Sequence, residues 1–269
     1  MQKQDSPTER KSLAYHIARL RLSLSKKATA RWATFWADYL RFRRQSQKDP
    51  RFPKITVADT QPCLTERTAT TSFDRHYVYH TAWAARVLRY TSPTAHSDIG
   101  SLVYFSSLVS AFIPFKFYDY RPAPLDLSGL DSNHADLCNL PFPDDSIESL
   151  SCMHVVEHIG LGRYGDPIDP QGDERAMKEL QRVLAPGGQL LFVVPVGRAR
   201  ICFNAHRVYS YMQIIEAMSG LELVEFSLIP DDTNAAIIKN AAPELVSAQT
   251  YGCGCFWFQK PTPVSPLPL

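Results

Sequence analysis

At 269 residues, with 45% hydrophobic and 21% charged residues, the chain can bury a substantial core and has the make-up of an ordinary globular protein. Its most membrane-like stretch, SLVYFSSLVSAFIPFKF, is short, rich in Ser and interrupted by Pro114, which excludes a spanning helix there. The net charge of +2 hides an asymmetry: residues 1–54 hold 14 of the 29 Lys and Arg but only 4 of the 27 Asp and Glu.

That basic leader is expected to meet an anionic membrane surface or an acidic partner, its own acidic body included; nucleic acid is not the expected partner. Binding to anionic vesicles should weaken with salt and vanish when residues 1–54 are removed. The first forty residues lack a signal-type apolar run, and the six Cys lack framework spacing. A cytoplasmic setting with reduced thiols is therefore expected, peripheral at the inner membrane face if the leader binds lipid.

In chain order, a helical pattern runs from Arg10 to Gln47, carried first by Leu13, Ile17, Leu20 and Leu24, then by Trp32, Phe35, Trp36, Tyr39 and Leu40. The prolines of QKDPRFPKI break it. SFDRHYVYHTAWAARVLRY reads as an amphipathic packing helix with Asp74 near its start. From about Thr94 short apolar runs alternate with helical patterns. AHSDIGS, FKFYDY, SIESLSCM, QLLFVVPV, LELVEFSLI and YGCGCFWFQK read as strands. FSSLVSAF, DERAMKELQRVLAPGG and YSYMQIIEAMSG read as helices, with Pro186-Gly187-Gly188 stopping the second. Cys253 and Cys255 alternate with Gly, so both should face one side of the last strand as structural thiols. The chain divides into a basic helical extension (1–54), a helical lead-in (55–93), an α/β domain (94–260) and a proline-rich tail (261–269).

Strands alternating with helices mean βαβ units and a mostly parallel sheet, where ligands bind beyond the carboxyl ends of the strands. Asp98 and Asp119 stand at two such ends, 21 residues apart, the interval that separates a glycine turn from a ribose-binding carboxylate; Asp136 follows in HADLCNLPF. HVVEH, residues 154–158, has the H-x-x-E-H spacing of a class of zinc peptidase, but SIESLSCM feeds straight into His154. Residues i and i+4 meet only on a helix, so a strand ending at His154 leaves no metal ligands to assign.

SDIGS, YDY, ADLCNLPFPDDSIESLSCMHVVEHI and AMKELQRVLAPGGQLLFVVPV resemble, in order, the motifs of class I S-adenosylmethionine-dependent methyltransferases, over about residues 94–229. EHIGLGRYGDPIDP and FNAHRVY are similar to an uncharacterised bacterial branch of that superfamily. The resemblance implies a Rossmann-like, doubly wound sheet of seven strands with the last antiparallel. It implies S-adenosylmethionine as cofactor, with Asp98, Gly100 and Ser101 by its methionine part, Asp119 on its ribose, and Asp136 with Leu137 at its adenine. His154 would face the methyl group or the substrate.

Methyl transfer from a sulfonium asks the protein to position two partners and accept a proton, so His154 is the candidate catalytic base, with Glu157 and His158 either catalytic beside it or capping a helix and orienting it. Arg163 and Tyr164 in the long GLGRYGDPIDPQGD loop, with Asn204, His206 and Arg207 in FNAHRVYS, are candidates to hold a small or sugar-like acceptor methylated on oxygen. Where the family's loop carries further glycines this chain has Leu102 and Tyr104, which are expected to narrow the pocket. The alternative is a non-catalytic module of the same fold that binds a partner through its basic leader.

Overall fold

A computed structural model describes residues 26–263. The periodic stretch Leu13 to Leu24 and the end of the proline-rich tail lie outside them. Contacts divide the chain into two compact units, residues 1–72 and 73–269. In the first, helix α1 (Lys26–Gln45) carries edge-on ring pairs Trp32–Phe35, Phe35–Trp36 and Trp36–Tyr39, with centroids 5.8, 5.2 and 5.6 Å apart. Arg67 reaches Asp38 at 2.8 Å.

The second unit is a seven-stranded, doubly wound sheet. In chain order it runs α2 (Arg75–Thr91), β1 (His96–Ile99), α3 (Val103–Val109), β2 (Phe115–Asp119), β3 (Leu130–His134), β4 (Ile147–Met153), α4 (Gly172–Val183) and β5 (Leu184–Val196). A hairpin, β6 (Arg200–Cys202) and β7 (His206–Val208), follows; then come α5 (Tyr211–Ala217), β8 (Glu222–Ile229), the short helix α6 (Glu244–Ser247) and β9 (Gly252–Gln259). The sheet order is β3-β2-β1-β4-β5-β9-β8, parallel except for β9, which runs against both neighbours. This is the Rossmann-like arrangement the motifs imply, last strand reversed. Strand order turns back between β1 and β4, and a crevice at such a switch point is where ligands bind.

The elements follow from their residues. Asp74 caps α2 by accepting from the Tyr77 amide at 3.2 Å, and Ser92 closes it in the left-handed region. Ala176, Met177, Leu180 and Val183 bury one face of α4, while Asp173 and Glu174 sit in its first turn, where the helix dipole favours anions. Leu190 to Val194 of β5 have no solvent exposure, as a strand covered on both faces requires. One core lies on the α4 and α5 side; the other packs Trp83, Val87 and Leu88 of α2 against Cys253 and Cys255. Both thiols do face one side of β9.

Three features differ from the sequence reading. The α4 helix stops at Val183, and Pro186-Gly187-Gly188 already belong to β5, whose register with β4 slips between Ile147 and Ser149. β3 is an unforeseen edge strand, polar except for the buried Leu130. FNAHRVY contributes the second strand of a hairpin rather than a simple loop.

Candidate functional site

The carboxyl ends of β1, β2 and β4 surround a cavity of about 340 Å³. Gly100 follows β1 with φ +70°, and a Cβ there would lie 3.1 Å from Val155 Cγ1 and 3.6 Å from Asp119 Oδ2. Only glycine combines that backbone with so close an approach. Asp119, at the tip of β2, accepts from the Arg121 amide through Oδ1 at 2.7 Å, which leaves Oδ2 beside Gly100 in the cavity. Asp136 and the buried Leu137 line the next stretch of wall. Leu102 and Tyr104 do not fill the space: neither lines it, and Tyr104 is 76% exposed.

Asp98 and Ser101 lie beneath this cavity, not on its wall. The Ser101 amide donates to Asp98 at 3.0 Å, and Ser101 Oγ accepts from the Met153 amide at 3.0 Å, fastening β1 to β4 at the switch point. A buried polar chain continues below. Ser149 donates to His96 Nδ1 at 2.8 Å, His96 Nε2–H donates to Ser151 Oγ at 2.8 Å, and the Ser151 hydroxyl donates to Asp98. These donors all point one way and end on a carboxylate. Burial holds His96 down to about 3, hence neutral, and pushes Asp98 up to about 6 against the hydrogen bonds that lower it.

A raised carboxyl pKa stabilises the fold only while the group is protonated. Asp98 therefore contributes fully below pH 4, and that contribution is lost as pH rises through 6, at a cost on the order of 3 kcal/mol. Asp98→Asn should accordingly gain stability over the wild type as pH rises from 4.5 to 7.5, read as urea midpoints at both pH values. A gap that does not change with pH would refute the assignment.

A second cavity, of about 540 Å³, adjoins the first; His154, His158 and Tyr164 line both. His154 follows β4 directly and sits at φ +58°, a left-handed conformation that His adopts more readily than most residues. A single 3₁₀ turn, Val156–His158, comes next, so the H-x-x-E-H spacing does not lie on an α-helix. His154 Nδ1–H donates to Glu157 Oε1 at 2.7 Å, and Glu157 Oε2 is buried without a partner. Burial depresses His154 to about 4 and raises Glu157 to about 7. His158 Nδ1 meets the Ala205 carbonyl at 2.6 Å; a carbonyl only accepts, so the proton is on Nδ1 and Nε2 keeps its lone pair. That Nε2 lies 3.8 Å from Glu157 Oε1.

The second cavity also draws on His206 and Arg163, with His76 and Tyr77, from a helix expected only to pack, and Tyr251. His76 and Tyr77 come from the first turn of α2, where the apolar stripe of Ala84, Val87 and Leu88 continues as His76 and His80. Histidines at i and i+4 on a helix's inner face were the signal available. Asn204 lines neither cavity. Arg207 faces inward instead: it is 4% exposed, donates to the Ile159 and Pro170 carbonyls at 2.6 and 3.3 Å, and lies 3.4 Å from Asp173. It holds both ends of the 159–171 loop. Asp166 gathers the amides of Gly160, Gly162 and Tyr164 within that loop, and Arg121 packs over the Tyr164 ring at 4.6 Å, bridging the mouth of the first cavity.

Among the described residues no helix is long and apolar enough to cross a membrane. A family model described as "Caenorhabditis protein of unknown function, DUF268" matches residues 144–243. No curated protein matches the chain. A chain of the Haloferax volcanii complex containing the Trm112 methyltransferase activator is similar at 21% identity and TM-score 0.48, over 70% of this chain and 91% of that one. The N-methyltransferase NodS of Bradyrhizobium japonicum, solved with S-adenosyl-L-homocysteine, is 17% identical at TM-score 0.45, covering 68% and 85%. A SAM-dependent methyltransferase of Thermotoga maritima is 16% identical at TM-score 0.45, covering 69% and 91%.

Proposed function

We propose that this protein is an S-adenosylmethionine-dependent methyltransferase acting on an oxygen of a small, polar, sugar-like acceptor. The reading rests on one observation: two cavities at the carboxyl edge of a doubly wound sheet share a wall of His154, His158 and Tyr164. The first fits an adenosine-bearing cofactor. It has a carboxylate oxygen free at the tip of β2, a glycine in the left-handed region whose Cβ would press on Val155, and further wall from Asp136 and Leu137. A ribose offers two hydroxyl donors, and a carboxylate is the acceptor suited to both.

When bound, S-adenosylmethionine supplies an electrophilic methyl group on its sulfonium. The chain's own work is positioning and proton management. Arg163 and His206 line the second cavity, where they orient the acceptor by hydrogen bonds. His158 Nε2 takes the proton that the acceptor hydroxyl loses as its oxygen gains the methyl group, and the Glu157 carboxyl beside it stabilises the imidazolium. His154 forms part of the partition and is oriented by Glu157. Asp98, Ser101 and Arg207 act on the architecture, through the floor and the loop, without touching either ligand.

Calorimetry with S-adenosylmethionine and S-adenosylhomocysteine tests the reading. Micromolar binding of both is expected; no heat from either compound overturns it in favour of a non-catalytic module.

A further inference from the structure

Beneath the second cavity, three potential ligands from distant parts of the chain converge: His76 from α2, His154 after β4, and Cys253 from β9. One donor atom from each lies within 4.8 Å of the others. His154 Nε2 and Cys253 Sγ are 3.4 Å apart. A tetrahedral ion with nitrogen at about 2.0 Å and sulfur at about 2.3 Å separates those two atoms by about 3.5 Å. The tautomer suits ligation as well. With Nδ1–H of His154 donating to Glu157 at 2.7 Å, Nε2 turns its lone pair toward the Cys253 thiol, the carboxylate–histidine arrangement typical behind metal ligands.

The neighbourhood is equally specific. His76 stacks on His154 at 5.4 Å and 14°, and on Tyr251 at 5.1 Å and 18°. A third imidazole, His80, meets His154 edge-on at 5.1 Å, is fully buried, and leaves Nε2 without a partner. Without an ion, the Cys253 thiol meets the His154 Nε2 lone pair, while the buried His80 Nε2 beside them has no partner.

We propose that His76, His154 and Cys253 form a binding site for a divalent ion of the zinc class, with its fourth position open toward the second cavity. Two imidazoles and a thiolate select zinc or cobalt over the oxygen-seeking magnesium and calcium. On binding, the Cys253 thiol releases its proton to solvent and the sulfur bonds the ion; no oxidation state changes. This ligand set is distinct from the H-x-x-E-H pair, because His158 binds the Ala205 carbonyl instead. The inference stands on these three side chains and does not depend on the methyltransferase reading.

The test uses the full chain without cofactor. Metal content is measured after equilibration with Zn²⁺ and dialysis, and Co²⁺ is titrated while following the near-ultraviolet thiolate-to-cobalt band. One equivalent of zinc and a thiolate band are expected. His76→Ala and Cys253→Ser should each lose the stoichiometric ion, Cys253→Ser also losing the band. Glu157→Gln should weaken binding by about 10- to 100-fold. Cys255→Ser, which alters the neighbouring thiol only, should bind as the wild type does. His76 lies at the start of α2 and is only partly buried, so its variant decides the matter if Cys253→Ser fails to fold. No bound ion, a band that survives Cys253→Ser, or equal loss in Cys255→Ser overturns the proposal.

Discussion

Asp119→Ala is expected to weaken binding of S-adenosylmethionine and of S-adenosylhomocysteine by about a hundredfold while leaving the thermal midpoint nearly unchanged. Its Oδ1 already accepts the Arg121 amide, so the free Oδ2 beside Gly100 is the atom a ribose would meet. Two hydrogen bonds to an ionised acceptor contribute together about 3 kcal/mol, which is a factor of about 100 in affinity. Asp119→Asn, which keeps shape but exchanges an acceptor for a donor, should recover only part of it. Affinity unaltered by Asp119→Ala would remove the cofactor from this cavity.

Arg207→Ala is expected to cost about 3 kcal/mol or more in a denaturant titration. The guanidinium is almost wholly buried, and its removal strips donors from two loop carbonyls and leaves Asp173 with the Tyr209 hydroxyl at 2.9 Å. Arg207→Lys should rescue little, because a single ammonium cannot span Ile159, Pro170 and Asp173 together. The same variant should loosen the 159–171 loop and raise the dissociation constant of the proposed cofactor, since Gly160, Tyr164 and Asp166 line the first cavity. A cost below about 1 kcal/mol would show that the loop holds itself, and a lost acceptor with an undiminished fold would return Arg207 to substrate binding.

How far the sequence spoke depended on how local each signal was. QLLFVVPV announced a central strand because burial on both faces leaves no room for polar residues. Asp74 announced the start of α2 because a cap is read three residues away. LDSNH escaped notice because an edge strand needs backbone partners on one side only and can stay polar. The acidic residues at the strand ends were legible as a series, yet nothing in sequence separates Asp119, on the wall, from Asp98, beneath it. Arg207 looked like a ligand-gripping cation because its true partners are carbonyl oxygens in a distant loop. His76 and Tyr77 meet His154 only through the packing of α2, and Tyr251 joins them by stacking on His76, across most of the chain.

The partition between the two cavities also bears on kinetics. Exposed side chains border both cavities, Tyr120 the first, Phe73 the second and Tyr164 the two together. On the proposed methyl-transfer reading, two chambers with a common wall hold both ligands at once, and initial-rate lines should intersect.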